Sequence, residues 1–255
     1  MEQVFKQIFR TLGYDVRRVS TLSIPPVEFS PAEERIFRYV KDQQLTMVSY
    51  EGVAAAMLAC KHAVLAGIDG DFVECGVWRG GVSIAAKMTL EEYGSDKKVW
   101  LFDTFAGMTE PTEDDRGTLT GEDGAKLFGE LKRSDHVDWC YASLEDVQRN
   151  FERSGANMAG VRFVKGDVAQ TLADQANLPA AISVLRLDAD FYESTRKELE
   201  VLYPRLAPHG SLLLDHYGYW DGARKAVEEY FGAASASERP LLFPIDRCAR
   251  VGIKP

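Results

Sequence analysis

The sequence predicts a doubly wound α/β fold. Short apolar runs recur after Asp71, amphipathic stretches of helical period separate them, and the runs are too continuous to leave one face wet. Strands buried on both faces and alternating with helices make a mostly parallel sheet covered on both sides.

Ahead of that alternation, residues 1–48 read as an arm and a helical cap. Met1–Ser20 carries scattered apolar residues and the basic Arg10, Arg17 and Arg18, and the prolines between Ser23 and Pro31 extend the chain. Ser30, Pro31 and Glu33 fit a capping box, with serine as N-cap and proline at the first helical position, opening a helix to about Gln44. A second helix is expected from near Ser49 to Gly67, with Val53, Met57, Cys60 and Val64 on one face. The strand candidates are Phe72–Cys75, Val99–Phe102, Val161–Val164, Ile182–Leu187 and Ser211–Leu214. The accompanying helical stretches are Val82–Tyr93, Leu144–Arg153, Ser194–Leu206 and Gly222–Phe231. Leu241–Phe243 and Ala249–Ile253 follow with a brief turn between them, which suits a closing antiparallel pair, because parallel neighbours need a longer crossover.

Composition narrows the class. The 255 residues, 45% of them hydrophobic, fit one globular domain with decoration and are too apolar for disorder. No apolar run approaches the roughly 20 residues that cross a bilayer, and the first residues lack a basic and then apolar signal pattern, so a cytoplasmic protein with no membrane span is expected. Cys60, Cys75, Cys140 and Cys248 lie far apart and are expected as reduced, mostly buried thiols. A net charge of −9 without a basic run leaves little to hold a phosphate backbone, which argues against nucleic acid as a partner.

In open α/β sheets the ligand sits at the carboxyl ends of the strands. The first strand runs into Glu74, Gly76, Trp78, Arg79, Gly80 and Gly81, where glycines allow a tight turn and leave helix N–H groups for a polar ligand. Trp78 occupies the second glycine position of the dinucleotide pattern and argues against a pyrophosphate pressed onto that loop. Asp103, followed by Thr104, ends the second strand, where a carboxylate can accept from both ribose hydroxyls of an adenosine-containing cofactor. Asp167 could touch an adenine amino group or cap the next helix. Two further ends carry most of the information: Asp188 and Asp190 at alternate positions, then Asp215 and His216. Converging carboxylates without a counter-ion are costly to desolvate, so a cation or a raised pKa is expected there. Oxygen donors suit Mg²⁺, and His216 as a nitrogen donor would admit softer ions. Helix capping competes with chemistry at Asp190. His62, His136 and His209 fall in a helix, a polar connection and a turn, and no nucleophile elbow, Walker loop or His-Glu-x-x-His helix is present.

The blocks Asp71–Gly81, Asp103–Gly107, Leu185–Asp190, Leu202–Gly210 and Asp215–Tyr217 resemble the macrocin O-methyltransferase family, from about Thr46 to Phe231. That family methylates sugar hydroxyls of macrolides and aminocoumarins with S-adenosylmethionine and Mg²⁺. The resemblance implies a class I methyltransferase domain over residues 49–255, a small sugar or glycoside acceptor and a homo-oligomer. It places Glu74–Gly81 at the methionine part of the cofactor, Asp103 at its ribose, and Thr46 and Met47 beside it. Asp188, Asp215 and the following residue match the metal ligands, except that the family pattern Asp-Asp-Tyr is here Asp-His-Tyr, which leaves the metal's identity open.

Methyl transfer needs an acceptor oxygen aligned with the sulfonium and relieved of its proton, and a metal chelated by neighbouring hydroxyls lowers the pKa of one of them. Asp190, two residues beyond a metal ligand, is the candidate general base. Tyr192, Tyr217 and Trp220 could form an aromatic wall for a sugar ring or could be core. A nicotinamide-dependent oxidoreductase, which Trp78 disfavours, and a non-catalytic cofactor-binding partner are the alternatives. Glu110, Glu113, Asp114, Asp115, Glu122 and Asp123, against Arg116 alone, concentrate the acidity after the second strand. Such a mouth suits a cation and a neutral or amine-bearing acceptor, or the stretch is a solvated, mobile lid.

Overall fold

A computed structural model describes Thr11, residues 24–118 and residues 121–255. The expected arm over Met1–Ser20 otherwise lies outside the described residues. The elements run α1 (Pro31–Asp42), α2 (Tyr50–Leu65), β1 (Asp71–Cys75), α3 (Gly81–Glu92), β2 (Val99–Asp103), α4 (Gly124–Leu131), α5 (Leu144–Ser154), β3 (Val161–Lys165), α6 (Val168–Thr171), β4 (Ile182–Leu187), α7 (Tyr192–Leu202), β5 (Leu206–Leu214), α8 (Asp221–Gly232), β6 (Phe243–Pro244) and β7 (Arg250–Ile253).

The seven strands form one sheet in the order β3-β2-β1-β4-β5-β7-β6. β1 to β5 are parallel, and β7 pairs antiparallel with both β5 and β6. The closing pair therefore forms, with β7 inside and β6 at the edge. The strand order reverses between β1 and β4, and that switch point opens the crevice in which a doubly wound sheet takes its ligand.

Two apolar layers enclose the sheet. One joins Phe37 and Val40 of α1, Val53 and Met57 of α2 and Ile84 of α3 with Phe72 and Leu101. The other joins Leu199 and Leu202 of α7 and Val227 of α8 with Val73, Leu185 and Leu212. The cap thus shares the core of the sheet. The capping box at the start of α1 is present, Ser30 accepting from the Glu33 N–H at 3.2 Å and Glu33 from the Ser30 N–H at 2.7 Å. The connector from α1 to α2 is clamped over the β1–α3 turn: the Gly81 N–H and the Arg79 guanidinium donate to the carbonyls of Leu45 and Gln44, each at 3.0 Å. Lys41 Nζ holds the Val48 carbonyl from the other side.

Two expectations change. The acidic stretch after β2 includes α4, which begins behind an Asp123 N-cap, and the segment is docked, not free-standing. Its Asp115, 1% exposed, accepts from the Tyr192 N–H at 2.8 Å and from the N–H and hydroxyl of Thr112, and Gly117 bridges to Trp220. α7 also starts earlier and ends earlier than the periodicity suggests, because Pro204 stops it in a single 3₁₀ turn, Tyr203–Arg205. All four cysteines are free, Cys60 and Cys75 buried. No helix among the described residues is long and apolar enough to cross a membrane.

Candidate active site

The ends of β1, β2, β4 and β5 open into one cavity. It is lined by Thr46, Met47, Glu74, Gly76, Trp78, Asp103 and Thr104 on one side and by Arg186, Asp188, Asp190, Asp215 and His216 on the other. Of the residues expected to meet a cofactor, Arg79, Gly80, Gly81 and Asp167 do not line it. Arg79 is taken by the Gln44 carbonyl and lies over Trp78, its guanidinium carbon 5.7 Å from the ring centroid. The Gly81 N–H is spent on Leu45. Asp167 is the N-cap of α6, accepting from the Ala169 N–H at 2.8 Å, and capping accounts for it.

The turn after β1 is built on left-handed backbone at alternate residues: φ is 81° at Gly76, 45° at Trp78 and 86° at Gly80. Trp78 thus adopts a conformation that costs a side-chain-bearing residue about 1 kcal/mol or more. Asp103 supports it. Its Oδ2 accepts from the N–H groups of Val77 at 2.6 Å and Trp78 at 3.1 Å, and its Oδ1 from Phe105 at 2.7 Å. Burial raises the Asp103 pKa against the pull of those backbone bonds. A carboxylate has about four acceptor sites, so about one remains for a ligand. Gly76 answers a further need, because a Cβ there would run into the Asp188 carbonyl across the β1–β4 gap.

The opposite wall is organised by a residue that sequence patterning passed over. Arg186, with 2% of its side chain exposed, pairs through Nη1 with Glu74 and with Asp188 Oδ2 at 2.8 Å, and through Nη2 with Asp215 Oδ1 at 3.0 Å. The cation expected beside these carboxylates is thus supplied by the protein itself, from Arg186, which lies outside the motifs read for chemistry. The fork binds one oxygen of each aspartate and leaves the other, Asp188 Oδ1 and Asp215 Oδ2, to face His216. His216 Nε2 stands 2.8 Å from Asp188 Oδ1, 2.9 Å from Asp190 Oδ1 and 3.9 Å from Asp215 Oδ2.

Four carboxyl groups meet the Arg186 guanidinium and the His216 imidazole here. Burial pushes Glu74 up to about 7, Arg186 and a bond from Ser83 only partly opposing it. Burial likewise holds Asp215 up at about 6, with Arg186 opposing and Asp188 adding to the rise. Asp188 lies below the ordinary range: burial works to raise it, but Arg186 and His216 together outweigh that. Burial also works to keep His216 neutral, yet Asp190 and Asp188 overcome it and raise its pKa well above the usual imidazole value. Asp188, Asp215 and His216 can bring one donor atom each within 4.8 Å of one another, as a metal-binding triad requires. The two oxygens and one nitrogen suit a divalent cation, and its charge would relieve the carboxylate excess.

The expected aromatic wall is not where the sequence suggested. Tyr192 gives its hydroxyl to Glu229 and Tyr217 gives its own to Glu228, and neither lines the cavity. Trp220, 2% exposed, packs on Trp139 and Phe191 with ring centroids 5.8 and 5.5 Å away. It reaches the site by its indole N–H, which donates to Asp190 Oδ2 at 3.2 Å. The aromatic residues that do line the cavity are Trp78, Phe102 and Phe191.

The sequence matches the macrocin-O-methyltransferase (TylF) family over residues 30–250. It is 39% identical to the 8-demethyl-8-(2,3-dimethoxy-α-L-rhamnosyl)-tetracenomycin-C 4′-O-methyltransferase of Streptomyces olivaceus over 70% of this chain and 65% of that one, just under two thirds of the relative's length. It is 34% identical to the mycinamicin III 3″-O-methyltransferase of Micromonospora griseorubida over 75% of this chain and 76% of that one. The solved structure of the O-methyltransferase NovP superposes with a TM-score of 0.70 at 30% identity, covering 82% of this chain and 81% of that one. The sheet order and these likenesses are those of a class I methyltransferase fold.

Proposed function

Because the chain belongs to the macrocin O-methyltransferase family, we propose that it moves the methyl group of S-adenosylmethionine to a hydroxyl of a sugar or glycosylated natural product, aided by a divalent ion at Asp188, Asp215 and His216. The observation that carries this reading is the shared cavity: a glycine turn with Glu74 and Asp103 on one wall faces the acidic β4 and β5 ends on the other.

Each wall has its task. Glu74, held by Arg186 and Ser83, would accept a hydrogen bond from the amino group at the methionine end of the cofactor, and Asp103 would offer its remaining acceptor site to the ribose. Thr46 and Met47 close over the same side from the clamped connector. When bound, S-adenosylmethionine supplies the methyl group and the ion supplies Lewis acidity that lowers the pKa of an acceptor hydroxyl. Asp190 would take that hydroxyl's proton. Trp220 fixes one of its oxygens, and the other stands at the cavity beside His216. The methyl would pass to the acceptor oxygen as the carbon–sulfur bond of the donor breaks, and the residues of the two walls would supply alignment in place of a covalent nucleophile. Trp78 at the second glycine position gives the nicotinamide alternative no support.

The test is transfer of a labelled methyl group from S-adenosylmethionine to a panel of deoxysugar glycosides, with and without a chelator. The reading predicts one methyl gained per acceptor and loss of transfer on chelation, and no binding of S-adenosylmethionine would refute it. The family resemblance also carries the proposal of a homo-oligomer, which a light-scattering mass checks.

A further inference from the structure

We propose that His216 selects a nitrogen-accepting first-row transition ion over Mg²⁺, and that in binding it His216 releases Asp190 to act as base. This rests on the metal-assisted reading above and adds which ion the site takes and what its arrival does to the neighbouring carboxylate.

Geometry carries the first half. Two donors at about 2.1 Å from one ion in adjacent octahedral positions stand about 3 Å apart. His216 Nε2 and Asp188 Oδ1, 2.8 Å apart, already lie at such an edge. Arg186 keeps the far oxygens of Asp188 and Asp215 occupied, so the near ones are left for an ion. Mg²⁺ prefers an all-oxygen shell, whereas imidazole nitrogen favours ions later in the first row. Replacing a carboxylate by His216 in this triad therefore shifts preference away from Mg²⁺.

The second half follows from a single nitrogen. Nε2 stands within 3 Å of both Asp188 Oδ1 and Asp190 Oδ1, at 2.8 and 2.9 Å, while Nδ1 is buried with no hydrogen-bond partner among the described residues. One nitrogen cannot both give its lone pair to an ion and hydrogen-bond Asp190, so with an ion held there the Asp190 contact would lapse, any proton on Nε2 passing to solvent. Among the described residues Asp190 would then keep only its bond from Trp220, with its Oδ1 open to the acceptor.

Mg²⁺ and Co²⁺ are titrated calorimetrically into the full chain and into His216→Asp, with S-adenosylmethionine titrated into both as a check on folding. His216→Asn serves if the aspartate variant fails that check. The wild-type preference for Co²⁺ over Mg²⁺ is expected to exceed that of the variant by on the order of tenfold or more, and the visible Co²⁺ spectrum to change with the substitution. With Zn²⁺, nitrogen-15 spectra of a chain with only four histidines are expected to show Nε2 of His216 without its proton. Equal Co²⁺ to Mg²⁺ ratios in both proteins would overturn the selection and leave the metal-assisted reading standing. A persistent Nε2–H at Zn²⁺ saturation would overturn the release of Asp190. Failure of every ion to bind either protein while S-adenosylmethionine binds would overturn both.

Discussion

The two walls of the cavity hold their carboxylates by different means. On the β1–β2 wall, Asp103 is fixed by three backbone N–H groups of the turns it supports, and only Glu74, paired with Arg186 of β4, departs from that pattern. On the β4–β5 wall, Asp188, Asp190 and Asp215 are held by side chains, chiefly Arg186 and His216. Backbone donors are set once the sheet folds, so Asp103 is fixed in place by the fold itself. Ion pairs among side chains can be exchanged for a ligand of the same sign, so the second wall can rearrange when a cation arrives. A wall that binds a constant cofactor suits the first design, and one that must change protonation during turnover suits the second.

The strongest way to break this contrast is to remove the buried cation. Arg186→Met leaves Glu74, Asp188 and Asp215 without their shared partner, and losing one member of a buried ion pair costs about 3–5 kcal/mol. Urea unfolding should show a loss of that size, partly restored by adding Glu74→Gln. A loss well below 1 kcal/mol would mean that charge does not hold this wall.

Next comes the chemistry of the second wall. Asp190→Asn keeps an oxygen for the Trp220 N–H but cannot take a proton. Removing a general base costs roughly 10²- to 10⁴-fold in rate. Turnover with labelled donor should fall by that factor while S-adenosylmethionine affinity and the unfolding midpoint stay near wild type. A rate within a few-fold of wild type would remove Asp190 from the proton path.

How far these walls can be read in the sequence follows the same division. Strand ends were legible, because a buried strand must be a continuous apolar run and Asp103, Asp188 and Asp215 stand at or just past the end of one. Arg186 was not read as a partner, though its signal is present: a charge inside the run Ile182–Leu187, buried at every position, requires carboxylates beside it. Helix α4 is hard to read because it is only eight residues long and two of them are glycines, which disfavour helix. Trp220 shows the limit of pattern reading. Its aromatic character says nothing of whether the ring faces a sugar or the core, and the pairing of its N–H with Asp190 depends on how the 215–222 turn docks against Trp139 and Phe191.

The junction of the walls gives a smaller effect. Gly76→Ala places a methyl group against the Asp188 carbonyl at a φ of 81°, which only glycine adopts freely. Strain of this kind costs roughly 1–3 kcal/mol, and the β1 and β4 ends must part to admit the methyl. Both S-adenosylmethionine affinity and metal affinity should fall together, because each wall is displaced. A loss confined to the cofactor would show that the walls move independently.

The smallest effect separates a cap from a contact. Asp167→Ala removes the acceptor for the Ala169 N–H at the start of α6, and losing an N-cap costs about 1 kcal/mol. Gly166 and Val168 line the cavity and Asp167 does not, so the side chain serves the helix while its neighbours face the ligand. The variant should therefore unfold at slightly lower urea with an unchanged S-adenosylmethionine dissociation constant. Asp167→Ser, which can still cap, should recover most of the stability. A tenfold weaker cofactor affinity in both variants would instead place Asp167 on the adenine, and the first wall would then hold its cofactor partly by a side chain free to move.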